Sequence, residues 1–396
     1  MIEIINPVKI TVVGVGGGGC NAVDRMISVD IPGIDYIALN TDAQALARSE
    51  APTKIRLGGP RGRGLGAGGD SSRGNEAAKL STEEIAKALE GSDLVFIAAG
   101  MGGGTGSGAA PVVGDIAHSQ GALAVAVVTK PFSFEGYRRR QVAEEALAEL
   151  KNHVDTMIVV PNDQLLSFIS EKVTVDIAFR IADDVLRQGI QGISEVITRP
   201  GLINVDFADI RRVLTQGGAS LMSIAQAKGP ERALEAAQSA IASPLVDSNS
   251  IAGATGILVN VVGGPDMTLH EAGKAVEHIT QRASEDAEVI FGAAIDNSMG
   301  EKLQITLLAT GISVEAAKVP RAELAPRQHD VRLVGQRAAT MVPREFEQRL
   351  AEVRTRSAGV QSAKPSQREP VAPAVSAPLA NALDIPTFLR RVRGAL

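Results

Sequence analysis

Gly100-Met101-Gly102-Gly103-Gly104-Thr105-Gly106-Ser107-Gly108 is a stretch with almost no side chains. It follows the apolar run Leu94–Ala99 and leads into Ala109-Ala110-Pro111-Val112-Val113. A buried strand therefore enters a glycine loop, and a helix is expected directly after it. That layout suits a phosphate. Glycines let successive backbone N–H groups face one point, and a helix start adds unpaired N–H groups and the positive end of its dipole. Thr105 and Ser107 can add hydroxyl donors. A flexible linker seldom sits between a buried strand and a helix. Leu94–Gly114 is uncharged over about the length of a membrane span, but its seven glycines argue against one.

A second loop of this kind lies near the start. Val8–Val13 is a strand candidate, Gly14-Val15-Gly16-Gly17-Gly18-Gly19 follows it, and Cys20–Ile27 has helical spacing. Gly14-x-Gly16-x-x-Gly19 satisfies the dinucleotide fingerprint, and Asp42, after the strand Ile34–Leu39, is a candidate for its ribose-binding acid. A NAD-dependent oxidoreductase is therefore an alternative reading. The second phosphate-type loop counts against it, because one pyrophosphate needs only one such turn. The chain has no Gly-x-x-x-x-Gly-Lys-Ser/Thr, so an ordinary P-loop is excluded.

Strands and helices alternate onward. Asn40–Leu46 ends a strand and opens a short helix, and a further Gly-rich turn follows at Gly64–Gly69. A helix is expected over Asn75–Glu90, strands over Leu94–Ala99, Leu123–Val128 and Thr156–Val160, and a long helix from Gly136 to about Asn152. Polar or Gly-rich loops follow the strands, which describes a doubly wound parallel sheet with its ligand at the carboxyl ends. Val175–Ile190 is apolar on more than one face, as a central helix buried between two domains would be. Its Phe179 and Asp183 are four apart and share a face. Beyond it, strands are expected at Gly256–Val262, Glu288–Ile295 and Leu303–Thr310, with helices near Glu231–Ala242 and Thr268–Arg282. These make a smaller α/β domain with mixed or antiparallel pairing. Residues from about 316 to 380 are rich in Ala, Pro, Arg and Gln and are expected to be disordered. The apolar and basic segment Leu383–Arg391 then reads as a docking peptide.

Bulk properties narrow the classes. Among 396 residues there is one cysteine, Cys20, which excludes an intramolecular disulfide and fits a reducing compartment. The five histidines have no metal-ligand spacing with Cys20, so no structural zinc is expected. The start, Met1–Pro7, lacks a basic region followed by an apolar core, so no secretory signal is expected. Residues 1–315 carry 26 basic and 38 acidic side chains, and residues 316–396 carry 14 and 7. An acidic body argues against nucleic acid as a partner.

Gly102–Gly108 resembles the signature loop of the tubulin superfamily, and the surrounding sequence is similar to its bacterial cell-division branch, the FtsZ family. The resemblance covers about residues 8–312 and again 383–391. It implies a doubly wound GTP-binding domain over 1–173, a central helix and connection over 174–200, and a second, polymerisation domain over 201–315. A disordered linker over 316–382 and a partner-docking peptide over 383–396 complete the chain. The implied cofactors are GTP or GDP with Mg2+. In family terms Gly17, Gly18 and Asn21, the Asn40–Asp42 turn, Gly68 and Gly69, and Gly102, Gly103, Gly104, Thr105 and Gly106 surround the nucleotide. Glu135 and Arg139 match the ribose-side pair, and Asn21, Phe179 and Asp183 match the guanine pocket. A carboxylate can accept from both N1–H and the 2-amino group of guanine, donors that adenine lacks there, and Phe179 offers a stacking face.

The same resemblance implies head-to-tail filaments that form the division ring at mid-cell, in the cytoplasm beneath the inner membrane. Membrane-anchoring and regulatory division proteins would dock on Leu383–Arg391, so contact with the membrane would be indirect. The phosphate loops contain no evident general base or arginine finger, although phosphoryl transfer needs an oriented water and offset charge. Asn204–Asp209 resembles the loop that completes hydrolysis in the neighbouring subunit, with Asp206 and Asp209 as its catalytic residues. Read without the family, those two aspartates are equally a helix cap and a dipole partner. Ser107 stands where the bacterial branch usually has Thr. Gly69-Asp70-Ser71-Ser72-Arg73 replaces its usual Ala-Asn-Pro-Glu-x. That second departure keeps a further alternative, a nucleotide-binding filament scaffold with little hydrolysis.

Overall fold

The computed structural model describes residues 8–312 apart from 32, 60–62, 167–172, 199–202, 204, 218 and 244–250. One compact unit holds all of these except Thr174–Ile177. The expectations for 316–382 and 383–396, and that for Asn204, lie outside the described residues.

Short β-branched runs ending in glycine or a polar residue form the strands of the first half. These are β1 (Ile10–Val15), β2 (Ile34–Asn40), β3 (Thr53–Arg56), β4 (Leu94–Gly100), β5 (Leu123–Lys130) and β6 (Thr156–Pro161). Between them lie α1 (Gly16–Val29), α2 (Ala43–Arg48), α3 (Ser71–Lys79), α4 (Thr82–Leu89), α5 (Gly104–Ser119) and α6 (Tyr137–Leu150). The short α7 (Asn162–Leu165) and the long α8 (Val175–Thr198) lead to α9 (Phe207–Leu214). The second half adds β7 (Ala219–Lys228), α10 (Arg232–Ile241), β8 (Gly256–Gly263), α11 (Leu269–Thr280), β9 (Glu288–Ile295) and β10 (Lys302–Ile312).

The ten strands form one sheet in the order β3-β2-β1-β4-β5-β6-β7-β10-β8-β9. Only β10 runs against its neighbours, β7 and β8. The halves join by two residue pairs, Met157 with Ala219 and Ile158 with Ser220. Strand order reverses between β1 and β4, so the loops leaving these adjacent strands diverge around a crevice, where ligands of such sheets bind. Helices cover both faces, as expected of a doubly wound sheet. Val13, Ile37, Ile97, Val113 and Leu147 belong to one apolar cluster drawn entirely from residues 13–159. Ile10, Phe96 and Val125 on the other face pack with Leu186 and Ile190 of α8, Ile210 of α9, and Leu258 and Leu308 of the second half. Each fully buried side chain of this size contributes about 1.5–3 kcal/mol.

Every strand named in the sequence is present, with bounds within two residues. Two strands went unnoticed: β3 is a four-residue edge strand, and β7 mixes small, polar and apolar residues without a clear period. The helix expected over Asn75–Glu90 is two helices. Ser81 breaks it, because its hydroxyl turns inward to accept from the Gly58 N–H at 3.2 Å. Both glycine loops are partly helical: α1 starts at Gly16 and α5 at Gly104, each about four residues before the side-chain pattern announces it.

Candidate active site

The helix starts separate into two kinds. Asp42 caps α2, accepting from Gln44 N and Ala45 N, and Asp70 caps α3, accepting from Ser72 N and Arg73 N. The starts of α1 and α5, at Val15 and Gly103, have no side-chain cap. Their first-turn N–H groups are left for an external acceptor at the strand-order reversal, and the dipole favours an anion there. The two starts are also adjacent. A Cβ on Gly16 (φ +74°) would lie 2.9 Å from Gly106 N, and one on Gly18 would lie 3.5 Å from Gly100 Cα.

Glycine is used for two purposes in these loops. A Cβ would meet nothing within 4 Å at Gly17, Gly103, Gly68 or Gly69, so these face open space. Gly104 and Gly106 are instead closed in by backbone. Their Cβ positions lie 2.8 Å from Asp70 O and 2.6 Å from Gly100 O, respectively. Gly102 has φ +89°, and its Cβ position lies 2.6 Å from Arg139 O, which brings α6 against the loop. Thr105 Oγ1 is 2.6 Å from Thr41 Oγ1, tying the β2 turn to the α5 start. The buried hydroxyl of Ser107 accepts from Gly102 N at 2.9 Å and closes the loop.

Asp42 and Asp70 are committed locally. Both cap bonds of α2 fall on Oδ1 of Asp42, so the acid that a nicotinamide enzyme would turn to a ribose serves here as a helix cap. Asp70 also pairs with Arg73 at 3.5 Å, so its charge is partly balanced.

Glu135 accepts from Phe132 N at 2.9 Å and pairs with Arg139 Nη1 at 2.6 Å, fixing the turn after β5 and the first turn of α6 together. Phe132 stacks on Phe134 with centroids 5.0 Å apart, and both meet Phe179 edge-on at 5.5 and 6.3 Å. The sequence reading missed Phe132 and Phe134; their i, i+2 spacing beside a glycine turn was the available signal. Asp183, one turn beyond Phe179, is buried and lies 3.4 Å from Nε and Nη2 of Arg25 on α1. Burial pushes its carboxyl up to about 6, against the pull of Arg25. Asn21 is exposed one turn before Arg25 on the same face of α1.

Asp206 and Asp209 are elsewhere. Asp206 takes the N-cap position of α9 without a side-chain cap bond, and it is exposed. Asp209, in the first turn, accepts from Arg212 Nη2 at 2.9 Å. The other end of α9 is tied to the entry ends of β5 and β6: Arg211 Nη2 donates to Gly121 O at 2.9 Å, and Thr156 Oγ1 donates to Leu214 O. The glycine loops leave the carboxyl ends of β1 and β4, which run parallel to β5 and β6, so they lie at the opposite edge of the sheet. No described contact joins Asp206 or Asp209 to the crevice. Among the described residues, no group of three or more His, Cys, Asp or Glu side chains is placed to hold a metal ion.

A crevice lined by two uncapped helix starts at the reversal of a doubly wound sheet takes the phosphates of a nucleotide, so the chain is of the nucleotide-binding α/β class. Comparison with known proteins narrows that class. The family model for the Tubulin/FtsZ GTPase domain matches residues 9–170, and the one for the FtsZ C-terminal domain matches residues 218–313. The chain belongs to the Tubulin/FtsZ family, in its FtsZ branch. A solved empty FtsZ dimer from M. jannaschii is 46% identical; the match covers 77% of this chain and 89% of that one, with a TM-score of 0.74. A GDP-bound CetZ1 monomer from Haloferax volcanii is 22% identical, covers 77% and 95%, and has a TM-score of 0.68, a likeness of fold. A GTPγS-bound CetZ2 protofilament from the same organism is 20% identical, covers 77% and 94%, and has a TM-score of 0.64. The protein is thus a tubulin-like GTPase of the cytoskeletal kind that binds guanine nucleotide. No described helix is long and apolar enough to cross a membrane.

Proposed function

We propose that this GTPase polymerises head-to-tail and hydrolyses GTP only where two subunits meet. Asp206 and Asp209 of one subunit act on the nucleotide held by the next. The separation of the two half-sites carries this reading: an uncapped phosphate cradle lies at one end of the first-half strands, while α9 is anchored at the other. A pocket on one face that meets a different surface on the next subunit gives an open, heterologous assembly. The similar FtsZ dimer and CetZ2 protofilament are both self-associated forms.

Within the pocket, Gly17, Gly18, Gly68, Gly69 and Gly102–Gly106 bind phosphates through backbone N–H groups. Glu135 and Arg139 hold the ribose side. Asn21, Phe179 and Asp183 read the base. Mg2+ would supply charge neutralisation at the phosphates, held chiefly by phosphate oxygens given the absence of a carboxylate cage among the described residues. Asp206, exposed and without a described partner, is suited to orienting water in the adjoining subunit. Residues 1–173 form the nucleotide domain, 174–200 the central helix, and 201–315 the activating domain. The filament forms the division ring at the septum, cytoplasmic and beneath the inner membrane, with anchoring partners on Leu383–Arg391.

Two defective proteins test the reading. Gly104→Asp breaks the pocket, and Asp209→Asn breaks the activating loop. Each alone is expected to turn over slowly, and copolymers of the two are expected to regain part of the activity, because one class of junction contains both sound halves. Turnover that is independent of concentration, with no rescue in sedimented copolymers, would mean that each subunit hydrolyses GTP alone. Slow turnover by wild-type filaments would instead favour the scaffold reading.

A further inference from the structure

Asp209 is held by a chain of side chains that the nucleotide pocket does not include. Arg212, one turn further along α9, donates from Nη2 to Asp209 Oδ1 at 2.9 Å and from Nε to Glu288 Oε1 at the start of β9. Glu288 is itself fixed: its Oε2 accepts from Gln216 Nε2 at 3.1 Å, and its backbone N–H donates to Thr255 O at 2.8 Å. Gln216 Oε1 in turn accepts from Thr255 Oγ1 at 2.6 Å. The path runs from α9 through β9 to the turn before β8. We propose that Arg212, braced by Glu288, is a positioning residue for GTP hydrolysis that aims the Asp209 carboxylate at the neighbouring subunit's nucleotide. This rests on the divided-site reading above.

Stability does not account for the arrangement. The Arg212 side chain is 59% exposed and Asp209 is 40% exposed; such surface pairs add little to stability. Position is the more telling consequence. Asp209 is the third residue of α9, where a carboxylate ordinarily turns back to the N–H groups of its own first turn. It makes no such bond; its Oδ1 accepts from Arg212 instead. The guanidinium is a planar fork, so Glu288 held at Nε fixes the plane in which Nη2 meets Asp209. Arg212 also places a positive charge beside a carboxylate that must approach a triphosphate, easing the repulsion between like charges. Asp206 has no corresponding partner among the described residues and keeps its freedom.

The test uses the full chain and reads GTP turnover per sedimented subunit, sedimented polymer, and GTP affinity of the unassembled protein. Arg212→Gln is expected to lower turnover per polymerised subunit about tenfold, as a misplaced catalytic group does, with polymer mass and GTP affinity unchanged. Arg212→Lys should recover part of the loss, and Glu288→Gln should fall between. Mixed with Gly104→Asp, Arg212→Gln should regain activity, because the pocket-defective partner contributes a sound α9. A rate loss that merely follows loss of polymer, or no rescue in sedimented copolymers, overturns the proposal. Asp209→Asn run in parallel separates the two claims. If it is slow and rescued while Arg212→Gln keeps the wild-type rate, only the role of Arg212 falls. If Asp209→Asn itself keeps the wild-type rate, the divided site and the role of Arg212 fall together.

Discussion

Arg25 on α1 directs Nε and Nη2 at a single oxygen of Asp183 on α8, each at 3.4 Å. The contact is long for an ion pair, and burial outweighs it, leaving the carboxyl near 6. An ionised carboxylate only accepts hydrogen bonds, whereas a protonated one must donate with one oxygen. Asp183 therefore presents two acceptors to a base only above about pH 6.

The preference for GTP over ATP is accordingly expected to weaken as pH falls through about 6, and competition binding at pH 7.5 and 5.5 measures it. Asp183→Ala should lose the preference at both pH values, at a cost of about 1–3 kcal/mol in GTP binding for the unpaired donors. The stability sign is opposite to that of a salt-bridged acid. The folded value lies above the unfolded one, so stability from this group falls as pH rises from the ordinary carboxylate range to about 6, then levels. A folded Asp183→Ala protein that kept the wild-type selectivity for GTP at pH 7.5 would remove this residue from the base pocket.

His153 joins α5 to the end of α6. Its Nδ1 lies 2.6 Å from Asp115 and its Nε2 lies 3.2 Å from Glu149. Only the imidazolium donates from both nitrogens. The hydrogen bond to Asp115 holds its pKa above the usual histidine value, despite opposing burial. The stabilisation is fully present below the unfolded pKa and is lost as pH rises through the raised folded one. The melting temperature should therefore decline from about pH 6.5 upward, and His153→Gln should flatten that decline. Parallel melting curves for the two proteins across pH 6 to 9 would show no link if their slopes agreed.

The two uses of glycine give opposite mutational signatures. A Cβ at Gly108 would lie 2.0 Å from Ser71 O, where α3 and α5 press backbone to backbone. Gly108→Ala should therefore destabilise the fold by about 1–3 kcal/mol, the cost of overpacking. Gly17→Ala meets no atom within 4 Å and should leave the melting temperature unchanged while weakening GTP binding. Thermal melts beside GTP titrations decide; equal melting temperatures for the two variants would show that α3 and α5 can move apart.

Much of the crevice was legible because its signal is local. A β-branched run, a glycine turn and a helix pattern recur after β1 and β4, and their carboxyl ends had to share an edge once the sheet was parallel. The sequence did not reveal which glycines face the ligand, since that depends on what crosses behind them. Gly104 and Gly108 answer to α3 and its cap. Ser107 closes the loop as an acceptor for Gly102 N–H, a contact that arises only once the loop has folded. Phe132 and Phe134 join Phe179 through a tertiary contact between a turn and α8, which no window of sequence contains. The restraint on Asp209 likewise depends on Glu288, 79 residues away in the chain.

The slender seam between β6 and β7 bears on how the chain is made. All strand partners of β1–β6, apart from that seam, lie within residues 10–161, and so does the whole apolar cluster beneath α3–α6. Synthesis from the N-terminus can therefore complete one side of this sheet while the remainder is still unmade. The opposite side, with Ile10, Phe96 and Val125, waits for α8, α9 and strands that end at Ile312. At about 5–20 residues per second, a half-covered sheet persists for several seconds on each ribosome. During that interval its open face is a surface for chaperones or for misassembly between nascent chains.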